Sequence, residues 1–416
     1  MIVSIIGLGY IGLPTAAVLA SKDIKVVGVD VSQYVVDTIN QGKIHIIEPG
    51  LDALVREAVQ KNNLKAVINP EKADVFMIAV PTPFKGNHEP DLSYIRLAAK
   101  AIAPVLEKGN LVILESTSPV GATEKMMTWM REERLDLSFP EFGNNNFIAD
   151  IAVAHCPERV LPGQVVRELI ENDRIIGGVT DYCAKQAKDL YKVFVDADCL
   201  LTDCRTAELS KLVENSFRDV NIAFANELSL ICDKLGINVW KLIELANHHP
   251  RVNILQPGPG VGGHCIAVDP WFIVDSAPDE AKLIRTARLV NDNKPNFVLG
   301  KIDKAVKAIG KNKSDLKIAC LGLSFKPDID DLRESPALSI AGKIGLMGFS
   351  KVFLVEPNIS NIPNEFKSES VSMASANEAI KSADIVVLLV DHTPFQSMDL
   401  EVLSGKQVID TRGIWS

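Results

Sequence analysis

The chain opens on an apolar run, Ile2-Val3-Ser4-Ile5-Ile6, followed by the glycine-spaced hexapeptide Gly7-Leu8-Gly9-Tyr10-Ile11-Gly12 and a helix-compatible stretch. Next comes Lys25-Val26-Val27-Gly28-Val29-Asp30. This order predicts strand, tight turn, helix and strand, with an acid at the second strand's tip. Two further runs, Ala73 to Val80 before Pro81-Thr82-Pro83 and Leu111 to Glu115 before Ser116-Thr117, are almost continuously apolar. Strands of that kind belong to a buried parallel sheet. The far end repeats the grammar in Lys317 to Lys326, Lys351 to Glu356 and Ala383 to Val390, and His392-Thr393-Pro394-Phe395 mirrors Pro81-Thr82-Pro83-Phe84. A second nucleotide-binding α/β domain is predicted there. Ser324 and Phe325 break its glycine spacing, so it makes a poor NAD site, and Lys326 suits the phosphate or ribose of another nucleotide.

Between the halves a helix is predicted from about Thr202 to Gly236, with more helix from Asn238. Glu208, Lys211, Asn215 and Arg218 share one face of it. Ala207, Leu212, Val213, Phe217 and Val220 spread apolar character around the rest, which predicts a largely buried helix whose polar stripe lines a cavity. The reading is an α/β protein with domains at 1–200, 201–300 and 301–416.

The hexapeptide carries chemistry because of its context. Gly7, Gly9 and Gly12 follow a strand and open a helix, where bare backbone approaches a pyrophosphate at the helix N-terminus. Asp30 then accepts from the ribose hydroxyls of NAD and would repel the phosphate of NADP. Thr82 and Thr117, at the carboxyl ends of strands, are cofactor or substrate candidates.

Composition narrows the partners. Of 416 residues, 47% are hydrophobic and 23% charged, as in a globular protein, and the net charge of −9 excludes non-specific attraction to nucleic acid or anionic membrane. An anionic ligand must therefore meet local basic residues. Met1 to Ser21 has the length of a membrane span, but three glycines and Pro14 interrupt it, so no membrane insertion is expected. Seven cysteines without a Cys-x-x-Cys pair point to a reducing cytoplasm, and no metal site is expected, the adjacent His248 and His249 included.

One cysteine stands apart. Gln256-Pro257-Gly258-Pro259-Gly260-Val261-Gly262-Gly263-His264-Cys265 is a glycine-dense loop that leaves a thiol accessible to substrate, with Asp269 close behind. A thiolate traps an aldehyde, whereas the other six cysteines read as small buried hydrophobes. The loop Cys156-Pro157-Glu158-Arg159-Val160 places a carboxylate beside a guanidinium, and the charge-dense run Lys326 to Pro336 suggests an interdomain contact.

Taken together, these segments resemble the UDP-glucose/GDP-mannose dehydrogenase family from Gly7 almost to Trp415. The matching stretches are Gly7 to Gly12, Glu115-Ser116-Thr117, Pro157-Glu158-Arg159, Glu208 to Lys211 through Asn215, Gly262 to Cys265 and Leu332-Arg333-Glu334-Ser335. The resemblance implies two Rossmann-like doubly wound domains joined by a long central helix through which two copies pair as a homodimer. It also implies NAD on the first domain, contacted by Gly7, Gly9, Tyr10, Ile11, Gly12, Asp30, Thr82, Thr117 and Arg333. Implied catalytic residues are Cys265, Lys211, Asn215, Asp269, Glu158 and Thr117. A UDP-amino-sugar would be held by Arg159, Val160, Lys211, Asn215, Arg218, His249, Arg251, Gly262 and Lys326. The implied reaction is oxidation of a sugar's primary alcohol to a carboxylate through a thiohemiacetal and thioester on Cys265. His264 before the nucleophile and Val268-Asp269-Pro270 after it resemble members acting on N-acetylated hexosamines, UDP-N-acetyl-D-mannosamine above all. UDP-N-acetyl-D-glucosamine and UDP-glucose are the alternatives. Two rival readings, a β-hydroxyacid dehydrogenase and a non-catalytic nucleotide-sugar sensor, account poorly for the Cys265 loop and for Lys211, Cys265 and Asp269 occurring together.

Overall fold

A computed structural model describes the chain except residues 87, 162, 264, 360, 362–365, 367 and 416. The chain divides into two compact units, Met1–Glu214 and Asn215–Ser416. In the first, beside a short hairpin of Phe84–Lys85 with Glu89–Pro90, the strands of the main sheet are β1 (Ile2–Ile6), β2 (Lys25–Val29), β3 (Leu64–Val67), β4 (Val75–Ile78), β5 (Leu111–Leu114), β6 (Ala152–His155), β7 (Arg174–Gly178) and β8 (Cys199–Asp203). They form one sheet in the order β8-β7-β6-β5-β4-β1-β2-β3. Neighbours run parallel except β6 against β7. Both faces are covered, so residues such as Val3, Ile5, Phe76, Met77 and Ile113 are wholly buried whichever way they point. The strand order reverses between β1 and β4, which opens the crevice where ligands of such sheets bind.

The second unit contains a five-stranded parallel sheet, β9 (Lys317–Leu321), β10 (Lys351–Val355), β11 (Val371–Met373), β12 (Ile385–Leu388) and β13 (Gln407–Asp410), in the order β11-β10-β9-β12-β13. The repeated grammar of the sequence reappears as repeated hydrogen bonds. Gly7 N–H donates to Val29 O and Gly322 N–H to Val355 O, both at 2.8 Å. Leu8 N–H donates to the Asp30 carboxylate at 3.0 Å and Leu323 N–H to the Glu356 carboxylate at 2.7 Å.

The two copies then part company. In the first, helix α1 (Gly12–Ser21) starts inside the turn; a Cβ on Gly12 would overlap the Gly7 carbonyl oxygen. In the second, the helix starts only at Pro336, capped by the Ser335 hydroxyl, after a loop that holds Lys326 and Arg333. Glu356 is buried there, and His392 Nε2 lies 3.0 Å from its Oε2. The acid equivalent to Asp30 is therefore spent inside the fold, a physical reason for the poor NAD site that the sequence predicts.

Further helices include α2 (Ala122–Glu133), α3 (Asp181–Tyr191), α4 (Cys204–Leu235), α5 (Asp269–Ser276) and α6 (Lys282–Ile309). The expectation that the central helix is largely buried needs correction. Ala207 and Leu212 are enclosed, but Val213 is 48% and Phe217 68% exposed. Helical periodicity identifies an apolar face without saying whether the same chain covers it. Within the second unit, a buried chain of polar side chains ties α4 to α6. Arg288 donates to Asp219 at 2.6 Å, Asn291 to Asp219 at 2.8 Å, and Asn226 to Asn291 at 2.8 Å. Asn226 Oδ1 also accepts from Gly258 N–H at 2.9 Å, fixing the entry of the cysteine loop. No described helix is long and apolar enough to cross a membrane.

Candidate active site

At the β1 turn the glycines divide the labour. A Cβ on Gly7 would lie 2.6 Å from the Ala79 carbonyl oxygen, and Gly12 must let the helix approach its own strand, whereas Gly9 has nothing within 4 Å. Gly9 is thus open backbone at the head of α1, with Tyr10 exposed and Ile11 half-buried beside it. Asp30 is half-buried; its two oxygens accept Leu8 N–H at 3.0 Å and Ser32 N–H at 2.9 Å, which orients the carboxylate at the tip of β2. A bare turn, a helix N-terminus and a fixed acid fit the pyrophosphate and ribose of NAD. Thr82 follows β4, and its hydroxyl donates to the carbonyl of Thr117, which follows β5, so the two threonines meet beside that crevice.

The turn after β6 departs from the simplest reading of its sequence. Glu158 pairs with Arg174 of β7 at 2.6 Å, both buried, and its other oxygen accepts Arg159 N–H at 2.7 Å. The Arg159 guanidinium instead pairs with Glu214 at 2.9 Å and donates to the Asp173 carbonyl. Val160 is half-buried in the same turn. Sequence reasoning overlooked Arg174, although a charged residue heading an otherwise apolar strand was a visible signal.

On α4, Glu208 is buried and caps α2, accepting Gly121 N–H at 2.6 Å and Thr123 N–H at 2.8 Å. Burial raises the Glu208 pKa, and the Thr123 and Gly121 donors pull against it. Lys211, one turn on, is half-buried. In the second unit Asn215 donates to Asp269 Oδ2 at 2.5 Å, so the structure brings these two together. Asp269 is 3% exposed at the first residue of α5; Cys265 is exposed, and its carbonyl accepts Asp269 N–H at 2.9 Å. The thiol thus sits at the approach to a helix whose first carboxylate is fixed by an amide. His264 lies outside the described residues.

The glycines of this loop serve packing as much as access. A Cβ on Gly262 would overlap the Glu334 carbonyl oxygen; one on Gly263 would sit 3.0 Å from the Phe325 ring; one on Gly260 would sit 2.8 Å from Pro336. The cysteine loop therefore lies directly against the loop bearing Lys326 and Arg333. Lys326 is exposed, and Arg333 forms an ion pair with Asp331 at 2.6 Å. Arg412 approaches the same loop at Gly258 while paired to Asp391 at 2.7 Å. Sequence reasoning gave Arg412 no place. Arg218, His249 and Arg251 are exposed, and Arg251 N–H donates to His249 Nδ1 at 3.3 Å.

Three family profiles cover most of the chain: the NAD binding domain of the UDP-glucose/GDP-mannose dehydrogenase family over residues 1–195, its central domain over 205–293 and its UDP binding domain over 319–416. The chain belongs to the UDP-glucose/GDP-mannose dehydrogenase family. It is 63% identical over 408 residues, 98% of each chain, to a protein of Campylobacter jejuni named UDP-N-acetyl-D-mannosamine dehydrogenase. It is 60% identical over 414 residues, 100% of this chain and 96% of the other, to a protein of Ralstonia nicotianae named NDP-N-acetyl-D-galactosaminuronic acid dehydrogenase. Among solved structures, the UDP-D-ManNAc dehydrogenase of Pyrococcus horikoshii matches with a TM-score of 0.88 and 40% identity, over 100% of this chain and 96% of that one. As a family member the chain is an NAD-dependent UDP-sugar dehydrogenase, its NAD-binding part being the unit that holds the open turn at Gly9.

Proposed function

We propose that the protein oxidises the C6 alcohol of UDP-N-acetyl-D-mannosamine to the carboxylate in two steps, with Cys265 as the covalent nucleophile. The observation that carries this reading is the exposed Cys265 at the approach to α5, beside a buried Asp269 held by Asn215, in a chain 63% identical to a relative of that name. NAD, when bound by Gly7 to Gly12, Asp30, Thr82, Thr117 and Arg333, supplies the hydride acceptor for each oxidation. Lys211 takes the proton of the alcohol and stabilises the oxyanions that develop at C6, with Asn215 assisting. The Cys265 thiolate adds to the C6 aldehyde to give a thiohemiacetal, whose oxidation leaves a thioester. Water then attacks the thioester carbonyl, the C–S bond breaks, and the thiolate and the acid separate. Asp269 and Glu158 are the carboxylates available for activating that water. Arg159, Val160, Arg218, His249, Arg251, Gly262 and Lys326 bind the sugar nucleotide, concentrating positive charge in an otherwise acidic protein.

The Ralstonia relative supports a second reading, the galacto epimer. The deciding measurement is NADH formed per sugar with limiting UDP-N-acetyl-D-mannosamine, UDP-N-acetyl-D-galactosamine, UDP-N-acetyl-D-glucosamine and UDP-glucose, for the native protein and Cys265→Ala. Two NADH per manno sugar, lost in the variant, is the expected result. One NADH per sugar, or activity indifferent to Cys265, refutes the thioester route; two from the galacto sugar alone transfers the assignment to that epimer.

A homodimer and a cytoplasmic location complete the proposal. Phe217, Phe224, Ile231 and Leu235 form an exposed apolar series on α4, 68%, 53%, 45% and 63% exposed, which a second copy would bury. The other six cysteines are buried thiols, in keeping with a reducing compartment.

A further inference from the structure

The loop that carries Cys265 returns to one face of α4 at both of its ends. At the exit, Asn215 donates to Asp269 at 2.5 Å, and at the entry Gly258 N–H donates to Asn226 Oδ1 at 2.9 Å. Asn215, Asp219 and Asn226 follow one another at helical spacing, so they form one stripe, and the two attachments lie about 16 Å apart along the helix. Behind the entry, Asp219, Asn226, Arg288 and Asn291 are all fully enclosed. Their hydrogen bonds have only one consistent polarity, because a guanidinium carries donors and no acceptor. Arg288 Nη1 donates to Asp219 Oδ1 at 2.6 Å, so the amide beside that oxygen must offer it an NH2, and Asn291 Nδ2 does so at 2.8 Å. The Asn291 oxygen is left facing Asn226, which donates its own NH2 there at 2.8 Å. Asn226 then presents its oxygen to the loop, where the Gly258 N–H meets it. The buried arginine thereby sets which atom of Asn226 faces the cysteine loop.

We propose that Asn226, held in one orientation by Asn291, Asp219 and Arg288, is a positioning residue for Cys265, fixing the entry of the cysteine loop so that the thiol stands where the C6 aldehyde forms. The proposal rests on the reading of Cys265 as the covalent nucleophile. Gly258, Gly260, Gly262 and Gly263 leave the segment much backbone freedom unless hydrogen bonds and packing remove it. The consequence differs between the two oxidations. In the first, hydride passes from C6 to NAD and the alcohol proton to Lys211, with no bond to sulfur. In the second, the thiolate must add to the aldehyde carbon, the carbonyl π pair moving to oxygen, before hydride leaves that carbon for a second NAD and the thioester remains. Displacing the loop entry therefore penalises capture of the aldehyde and spares its formation.

The test uses the full-length protein, native and as Asn226→Leu, Asn226→Ser and Asn291→Leu. Leucine keeps the shape of asparagine and removes both hydrogen bonds; serine is the smaller change that takes its place if leucine prevents folding. Asn291→Leu leaves the bond to Gly258 chemically possible and removes what orients Asn226. Hydrogen exchange is read on the peptide spanning residues 256–263, with a peptide of β9 as control. Single turnovers with limiting UDP-N-acetyl-D-mannosamine and excess NAD are quenched in denaturant containing hydroxylamine, which recovers any C6 aldehyde as its oxime. In the Asn226 variant, loop exchange should speed at least tenfold while the β9 peptide stays within twofold of native. The first oxidation should stay within threefold of native and the second should slow at least tenfold, with aldehyde oxime accumulating above the native level. Asn291→Leu should show the same pattern, at least threefold in loop exchange and in the second oxidation. Unchanged loop exchange, or loop exchange that rises only together with that of β9, overturns the proposal. So does equal slowing of both oxidations, the mark of general loosening, or a second oxidation at the native rate. Exchange needs no turnover; a native protein inactive on this sugar defeats the functional reading, while the exchange data still decide whether Asn226 pins the loop.

Discussion

Replacing Glu115 with glutamine should change how stability depends on pH. The carboxyl is wholly buried after β5, and burial, followed by the neighbouring Glu158 charge, pushes its pKa up from 4.5 to about 7; the Tyr191 hydroxyl and the Arg174 charge only partly oppose this. Its second oxygen has no partner among the described residues. In the unfolded chain Glu115 releases its proton near 4.5, so between about pH 4.5 and 7 the folded state holds a proton that the unfolded state has lost. Stability therefore falls as pH rises through this window and levels off above it. A shift of this size, at about 1.4 kcal/mol per pH unit, corresponds to about 3 kcal/mol. For a cooperative unit of the size of Met1–Glu214, this amounts to roughly 6–12 °C in melting temperature. Glutamine keeps the shape and an acceptor for Tyr191 but cannot ionise. The assay is thermal unfolding of both proteins from pH 5 to 8.5, scored as the difference between them, which cancels the titration of groups common to both. The variant should gain stability relative to the native protein between pH 5 and 8.5, by about 3 kcal/mol, because only the native carboxyl must ionise inside the fold. Parallel curves across the range would show that Glu115 is ionised in the fold and that the burial argument is wrong.

Two further outcomes test the scaffold. Gly12→Ala places a methyl group on the Gly7 carbonyl oxygen, so it should cost several kcal/mol, about 3 or more, and abolish NAD binding measured by calorimetry; a stable protein with native NAD affinity contradicts the close approach of α1 to its strand. Phe217→Asp with Phe224→Asp should halve the mass observed by sedimentation while leaving the far-ultraviolet spectrum intact; a native protein already monomeric at micromolar concentration removes the basis for pairing through α4.

What the sequence determines by itself is whatever rests on local sterics and periodicity. Gly7, Gly9 and Gly12 announce a tight turn, and two of them, Gly7 and Gly12, lie against backbone where a side chain would collide, while Gly9 is open. Continuous apolar runs announce strands buried on both faces, and the repeated run at the far end announces a second sheet with the same local bonding. Cys265 stands out because of the glycines before it. Tertiary structure alone decides how groups distant in sequence pair, since a hydrogen-bond partner leaves no trace in composition. Glu158 finds Arg174 rather than its neighbour Arg159, Glu208 caps a helix that begins at Ala122, and His392 occupies the carboxylate that copies Asp30. The glycines before Cys265 suggest an open approach, and only the fold shows Phe325, Glu334 and Pro336 pressed against them. The same limit applies to α4. Its spacing marks an apolar face around Phe217, but whether such a face meets its own chain or solvent is a property of the folded surface, and there it remains exposed.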